Sequence, residues 1–195
     1  LKSVIIQNGL LSIGEDAFCG CSSLDYISLP ESIEEIGKEA FYECSSITNI
    51  TIPANITRMG ENLFSHCESL ASVTIQNGLA SIGDSMFSYC KSLCNITIPK
   101  SVTSIGAYAF SHCDAFSTFT IPNSITEIGS GAFEWCEGLT SVIIPNGVVR
   151  IGMGAFARCS SLASITIPGS VTIIGDMAFS VCRKLSSVII HEGVA

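Results

Sequence analysis

Cysteine is the residue type whose spacing in this chain most invites a chemical reading. Of the ten cysteines, Cys21, Cys44, Cys67, Cys90, Cys113, Cys136, Cys159 and Cys182 recur at intervals of 23 residues, and Cys19 and Cys94 break the series. Two readings of the series stand. In an oxidising compartment, thiols at one repeated place could close a ladder of disulfides. In a packed interior they would instead form a column of small hydrophobic groups. A disulfide tolerates Cα separations of only about 4.4–6.8 Å, which favours the column wherever successive turns splay apart. The pair Cys19-Gly20-Cys21 offers two thiolates but lacks the second ligand pair of a tetrahedral site. No metal and no other cofactor is expected.

Other groups offer less. The three histidines are His66, His112 and His191, the first two falling at the same place in the 23-residue interval. Neither belongs to a recognisable Ser-His-Asp set, and no phosphate-cradling loop or metal-ligand spacing is present. Glu31, Glu34, Glu35, Glu39 and Glu43 cluster in one stretch and read as a solvated acidic face rather than a catalytic pair. The chain is therefore expected not to be an enzyme. Asn49-Ile-Thr51, Asn55-Ile-Thr57 and Asn95-Ile-Thr97 are formal glycosylation sequons, although a repeat that supplies Ile followed by Thr creates the motif by chance.

These residues are positioned by a strict repeat. Copies of 23 residues begin at 1, 24, 47, 70, 93, 116, 139 and 162, and a partial ninth covers 185–195. A fixed period in this range signals a solenoid, in which each unit buries its apolar face against its neighbours. The unbroken register leaves no linker, so residues 1–195 are read as one repeat domain. The pattern starts and stops inside the repeat, from which a piece of a longer protein is expected, with caps, targeting signal and anchor elsewhere. Apolar ends left open by such a cut would favour end-to-end self-association.

Within a copy, positions 4 and 6 are β-branched or apolar, as in Ile50 and Ile52. Period-two alternation of this kind predicts a strand with one buried face, and stacking the copies predicts a parallel sheet with strands about 4.8 Å apart. Proline at position 7 in six copies ends the strand, because it has no N–H to donate. Position 9, always Gly, Ser or Asn, turns the chain. Gly14, Gly37, Gly60, Gly83, Gly106, Gly129, Gly152 and Gly175 hold position 14, which calls for either a positive φ or a close approach to the next copy. Position 18 is always Phe: Phe18, Phe41, Phe64, Phe87, Phe110, Phe133, Phe156 and Phe179. Phe and Cys three residues apart would share one face of a helical or 3₁₀ turn. The Phe and Cys columns are the expected spine of the core.

The string Ala-Phe-x-x-Cys-x-x-Leu-x-x-Ile-x-Ile-Pro resembles the BspA-type leucine-rich repeat along the whole chain. The resemblance implies an α/β solenoid, a right-handed horseshoe with the parallel sheet on its concave face and short strand, 3₁₀ or helical turns on the convex side. The asparagine ladder usual in leucine-rich repeats is absent here, position 9 holding Asn only at Asn55. The resemblance also implies a secreted or cell-surface protein of a host-associated bacterium or parasitic protist, with adhesion or protein binding as its role. The partner so implied is a protein, such as a host extracellular-matrix or cell-surface protein.

Positions 3 and 5 of the strand point away from the core. Tyr26, Ser28, Asn49, Thr51, Ser72, Thr74, Asn95, Thr97, Thr118, Thr120, Ser141, Ser164 and Thr166 are accordingly the candidate protein-binding residues, an uncharged lawn of small hydroxyl groups with one aromatic. Interface hot spots favour Trp, Tyr and Arg, so the edges carrying Tyr42, Tyr89, Tyr108, Trp135 and Arg158 are a second place for contact. A structural spacer that projects another domain from the cell surface is the alternative, favoured by the similarity of the copies. A regular Thr column would also suit an ice or crystal surface, but curvature opposes it. The formal charge of −8, with only nine Lys and Arg, argues against nucleic acid. No run of about 18 apolar residues is present for membrane insertion.

Overall fold

The alternation at positions 3–6 produces a row of strands, one per turn of the coil: β1 (Ser3–Ile5), β3 (Tyr26–Ser28), β5 (Asn49–Ile52), β7 (Ser72–Ile75), β9 (Asn95–Thr97), β11 (Thr118–Thr120), β13 (Ser141–Ile143), β15 (Ser164–Ile167) and β17 (Ser187–Ile190). After the position-9 turn, positions 12 and 13 form a second row of two-residue strands: β2 (Ser12–Ile13), β4 (Glu35–Ile36), β6 (Arg58–Met59), β8 (Ser81–Ile82), β10 (Ser104–Ile105), β12 (Glu127–Ile128), β14 (Arg150–Ile151) and β16 (Ile173–Ile174). The computed structural model describes residues 1–193. The last two residues of the partial ninth copy lie outside them. Every strand pair is parallel, and partners are offset by 23 residues, as Ser3↔Tyr26 and Ile105↔Ile128 show. The molecule is a parallel-strand β-solenoid.

The expected helical or 3₁₀ turn at the Phe-Cys segment, and with it the α/β class, is corrected by the structure: the described residues form strands and turns and no helix. The reason lies in the backbone. Positions 16 and 20 have positive φ in all eight full copies, from Asp16 (55°) and Gly20 (68°) to Met177 (56°) and Val181 (60°). A left-handed residue at every fourth place stops a right-handed helix from propagating. It also turns the N–H groups of positions 16, 18 and 20 outward to the next turn of the coil, as in Asn62→Asp84, Phe64→Met86 and His66→Ser88 (donor nitrogen to carbonyl oxygen, 3.0, 2.9 and 2.8 Å). The intervening N–H groups close four-residue turns, as in Ser65→Asn62 and Cys67→Phe64. Side chains still share one face, but through overlapping turns.

That segment carries the core. Phe41 to Phe156 at position 18 are fully buried, while Phe18 and Phe179 near the ends are only partly covered. Successive rings stack nearly parallel with centroids 5.3–5.8 Å apart. Behind them the cysteines form a second column. All ten are free thiols, and each position-21 Sγ from Cys44 to Cys182 donates to the carbonyl of the Phe 26 residues earlier at 3.1–3.2 Å, whereas Cys94, outside the column, donates to the Ala71 carbonyl at 3.6 Å. That bond lets a thiol sit in an apolar column without leaving a polar group unpaired. Burial pushes Cys44 up to about 12 and Cys90, Cys136 and Cys159 higher still.

Position 14 needs Gly through close approach and not through φ, since none of its glycines has a positive value. A Cβ on Gly129 would lie 2.5 Å from the carbonyl carbon of Gly106. Gly83 is different: its nearest neighbour would be Met86 Cε at 3.3 Å. The second row is broken there, into β2-β4-β6 and β8-β10-β12-β14-β16. Leu63 and Met86, both buried, stand where the other copies have Ala, and Met59 stands where they have Ile. Larger side chains at a tightly stacked place hold neighbouring turns apart.

Candidate functional site

The long-strand row presents positions 3 and 5 outward, because positions 4 and 6 are drawn into the core. Asn49, Thr51, Thr74, Asn95, Thr97, Thr118, Thr120, Ser164 and Thr166 are exposed, as is Tyr26, whereas Ser28, Ser72 and Ser141 are half-buried. The face holds no charged side chain at these positions. It is not continuous. Its strands form three sheets, β1-β3, β5-β7-β9 and β11-β13-β15-β17.

The wider break separates β9 from β11, where no Cα of one strand lies within 8 Å of the other. Neighbouring parallel strands are ordinarily about 4.8 Å apart. A cleft of about 370 Å³ opens between them, lined by Cys94, Asn95, Ile96, Ile98, Phe116 and Phe119, with Thr118, Thr120 and Pro122 beside them. The cause is legible at residue level. Phe116 replaces the aliphatic residue of position 1, and Phe119 replaces the Val or Ile of position 4. Both are buried, and they join the position-18 column edge-on: Phe119 lies 4.8 Å from Phe133 and 5.0 Å from Phe116. Two extra rings fill the interior of this turn and displace its strand from the one before. Ile96 and Ile98 are left half-covered, unlike Ile50 and Ile52 of β5.

The second break, between β3 and β5, forms a smaller cleft of about 150 Å³ lined by Tyr26, Ile27, Ser28, Leu29, Asn49, Ile50 and Thr51. Of the candidate binding residues, the structure thus gathers Tyr26, Ser28, Asn49 and Thr51 at one cleft and Asn95, Thr118 and Thr120 at the other. Ser72 and Thr74 lie on the intact β5-β7-β9 ladder, and Ser141, Ser164 and Thr166 on β13 and β15. Phe116 and Phe119 were missed from sequence, although their departure from the repeat was the available signal.

On the turn side, position 20 assembles a ladder that the spacing alone did not disclose. Tyr42 precedes it, and His66, Tyr89, His112 and Trp135 stack in succession, with centroids 5.4, 4.3, 4.2 and 5.5 Å apart. Arg158 closes the series, its guanidinium 4.4 Å from the Trp135 ring. His66 and His112 are separated by Tyr89 and so form no acid–base pair. Burial holds His112 below its ordinary pKa, against the opposite pull of Asp114 and Glu134. Tyr42 meets His66 at a tilt of 59°, while both faces of Tyr89, His112 and Trp135 are occupied by neighbours, so these three rings offer edges rather than stacking platforms. Tyr108 lies apart from it, beside Met153 and Met177.

The acidic stretch is partly paired. Glu35 meets Arg58 at 3.4 Å and Glu39 meets Lys38 at 3.4 Å. At the sequons, Asn55 Nδ2 donates to the Glu31 carbonyl at 2.6 Å and Asn49 Nδ2 to Thr48 Oγ1 at 3.1 Å. Asn95 stands at the wider cleft. No helix among the described residues is long and apolar enough to cross a membrane.

Comparison with known proteins follows the same lines. The sequence matches the model of the BspA type leucine rich repeat region, in six copies, over residues 1–116 and 81–195. Among solved structures it is similar to a leucine-rich repeat protein from Bacteroides ovatus, at 27% identity and a TM-score of 0.69, covering 100% of this chain and 62% of that one. It is also similar to the leucine rich repeat protein of T. pallidum, at 29% identity and a TM-score of 0.58 over 94% of this chain and 77% of that one. A leucine rich cell surface protein from Faecalibacterium prausnitzii is 26% identical, with a TM-score of 0.55, over 97% and 79% of the two chains. The chain spans less than two thirds of the length of the Bacteroides ovatus protein. No curated protein matches. With a repeat that matches from end to end and a stacked parallel-strand coil behind it, the chain belongs to the BspA-type leucine-rich repeat family.

Proposed function

We propose that this chain is a non-enzymatic protein-binding scaffold within a cell-surface or secreted protein, and that the partner sits on the long-strand face. One observation carries the reading: the face is an uncharged, largely exposed row of hydroxyl and amide side chains with Tyr26 and exposed Ile5, Ile143 and Ile189 toward its ends, interrupted at its middle by the cleft between β9 and β11. Rigid stacked turns hold many weak contacts in register, so little entropy is lost on association. The likeness to a leucine rich cell surface protein supports the location. A structural spacer is the second reading, favoured by the near-identity of most copies. Against it stands the sixth copy, whose Phe116 and Phe119 single out one place on the face.

The test is binding of the purified chain to an array of extracellular-matrix and cell-surface proteins, repeated with Thr51, Thr74, Thr97 and Thr120 changed to Lys. Saturable binding to a member of the array, lost in the Lys variant, is the expected result. Binding that survives all four substitutions moves the contact off this face, and no saturable partner in the array favours the spacer.

A further inference from the structure

We propose that the gap between β9 and β11 accepts one extended strand from a partner polypeptide. Its alternate apolar side chains would point into the cleft, and its main chain would bond to the two free edges. This deepens the reading above, on which it rests, by naming the chemistry of the partner.

The backbone is the first observation. Elsewhere along the row, the N–H of position 2 donates to the position-2 carbonyl of the preceding turn: Asp25→Lys2, Ala71→Thr48, Cys94→Ala71, Thr140→Ser117, Ala163→Thr140 and Ser186→Ala163. At the gap the corresponding bond, Ser117 to Cys94, is absent. One wall therefore carries the Cys94 carbonyl and the other the Ser117 N–H, an acceptor and a donor left without the cross-turn bond that their counterparts make. An unpaired edge of this kind is a template for strand addition. Seating a strand between two others requires about twice the usual spacing, roughly 9.6 Å, and the Cα atoms already stand more than 8 Å apart. The β3–β5 break has lost the equivalent bond, Thr48 to Asp25. Its strands nevertheless remain within 8 Å, and its cleft is less than half the volume.

The side chains supply the second observation. Ile96 and Ile98 are half-covered where the same positions of β5 are buried, and Phe116 and Phe119 form the opposite wall. Asn95, Thr118 and Thr120 stand on the outward positions. An incoming strand that alternates β-branched apolar residues with Thr or Ser would continue both patterns, inward apolar and outward polar. A charged residue at an inward place would be desolvated without a partner. The selectivity follows from the pleat.

The probe is a fluorescein-labelled peptide, Lys-Thr-Ile-Thr-Val-Thr-Lys, with a matched peptide N-methylated at alternate residues to remove its N–H donors. Anisotropy should show saturable binding of the first and affinity lower by at least about tenfold for the second, the equivalent of one unmade buried hydrogen bond. Cys94 lies in the cleft and is exposed, while Cys19 is exposed in the first turn segment. Saturating peptide should slow alkylation of Cys94 by at least about tenfold, as closing over it would require, and leave Cys19 unchanged. Phe119→Ile, which restores the aliphatic residue of the other copies, should weaken the peptide comparably. Continued silence of Cys90 and Cys113 shows that this variant is folded. No saturable binding, equal binding of the N-methylated peptide, or an unprotected Cys94 overturns strand insertion. If any of these occurs while an array protein is still lost on Lys substitution at Thr51 and Thr74, the scaffold reading stands without the insertion.

Discussion

Alanine at position 14 should have opposite consequences in two copies of the same repeat, and the comparison is a direct test of how the turns are stacked. In Gly129→Ala the new Cβ lies 2.5 Å from the Gly106 carbonyl carbon and 2.7 Å from Ala107 N. Carbon atoms in contact sit about 3.5–4.0 Å apart, so the two turns must separate locally by about 1 Å. Overpacking of a close-packed site costs about 1–3 kcal/mol. The separation also stretches the bond from Gly129 N to Ile105 O, now 2.8 Å, whose loss adds about 1 kcal/mol. A destabilisation of about 2–4 kcal/mol is expected. In Gly83→Ala the added methyl meets the far end of the flexible Met86 side chain at 3.3 Å, which must give by a few tenths of an ångström, and the Gly60 carbonyl oxygen at 3.9 Å, and Gly83 has no positive φ to strain. The restricted unfolded chain then contributes about 0.4–1 kcal/mol of stability. Urea unfolding followed by circular dichroism and by the single tryptophan, Trp135, reads the difference. With a slope of about 2 kcal/mol/M, the two midpoints should stand apart by about 1 M or more. Equal midpoints would refute both the close approach at Gly129 and the parting of the turns at Gly83.

Three further outcomes follow from the packing. Phe133→Ala, at a fully buried ring stacked between Phe110 and Phe156, should lower stability by about 3–5 kcal/mol, and Phe18→Ala, half-covered in the first turn, by clearly less in the same denaturation assay. Thiol titration of the native protein at pH 8 should find Cys19 and Cys94 reactive and Cys44, Cys67, Cys90, Cys113, Cys136 and Cys159 silent until urea is added, because burial raises the pKa of each of these six thiols. Rapid native reaction of the six would contradict the column. His112 is held below its ordinary pKa by burial, so the unfolded chain binds its proton more readily. Its contribution to stability is present above about pH 6.5 and is lost as pH falls through its folded value. The midpoint of the native protein should drop from pH 7.5 to 5.5 by more than that of His112→Gln, and parallel profiles would count against the buried imidazole.

Much of this coil could be read from its residues because the repeat averages out local ambiguity. One segment such as Asn49–Ile52 is a weak strand signal, but nine of them at one interval are not. The same averaging hid what differs between copies. Position 20 holds Gly, Glu, His, Tyr, His, Trp, Arg and Val, and no preference for the left-handed region is visible in that set, since bulky residues disfavour it. They adopt it because N–H groups at positions 16, 18 and 20 gain partners in the next turn, a benefit that exists only once the turns are stacked. The spacing of Phe and Cys fits a helix as well as overlapping turns, so the wrong turn type was the natural reading of a local pattern whose resolution is tertiary.

The breaks in the two rows carry the opposite lesson. Two of the three sit beside residues that violate the repeat in plain view: Leu63 and Met86 where Ala is usual, Phe116 and Phe119 where an aliphatic residue is usual; the β3–β5 break does not follow from them. In a quasi-one-dimensional stack each turn contacts only its neighbours, so an oversized side chain cannot be accommodated by distant adjustment and must push adjacent turns apart locally. At β6 and β8 the separation lies in the two-residue row. At β9 and β11 it falls in the middle of the exposed face and uncovers Ile96, Ile98 and two backbone edges. Phe116 and Phe119 are buried and packed edge-on against Phe110 and Phe133. The interior of this turn is filled while its surface is opened, so the overpacking is relieved on the exposed face and not in the aromatic column.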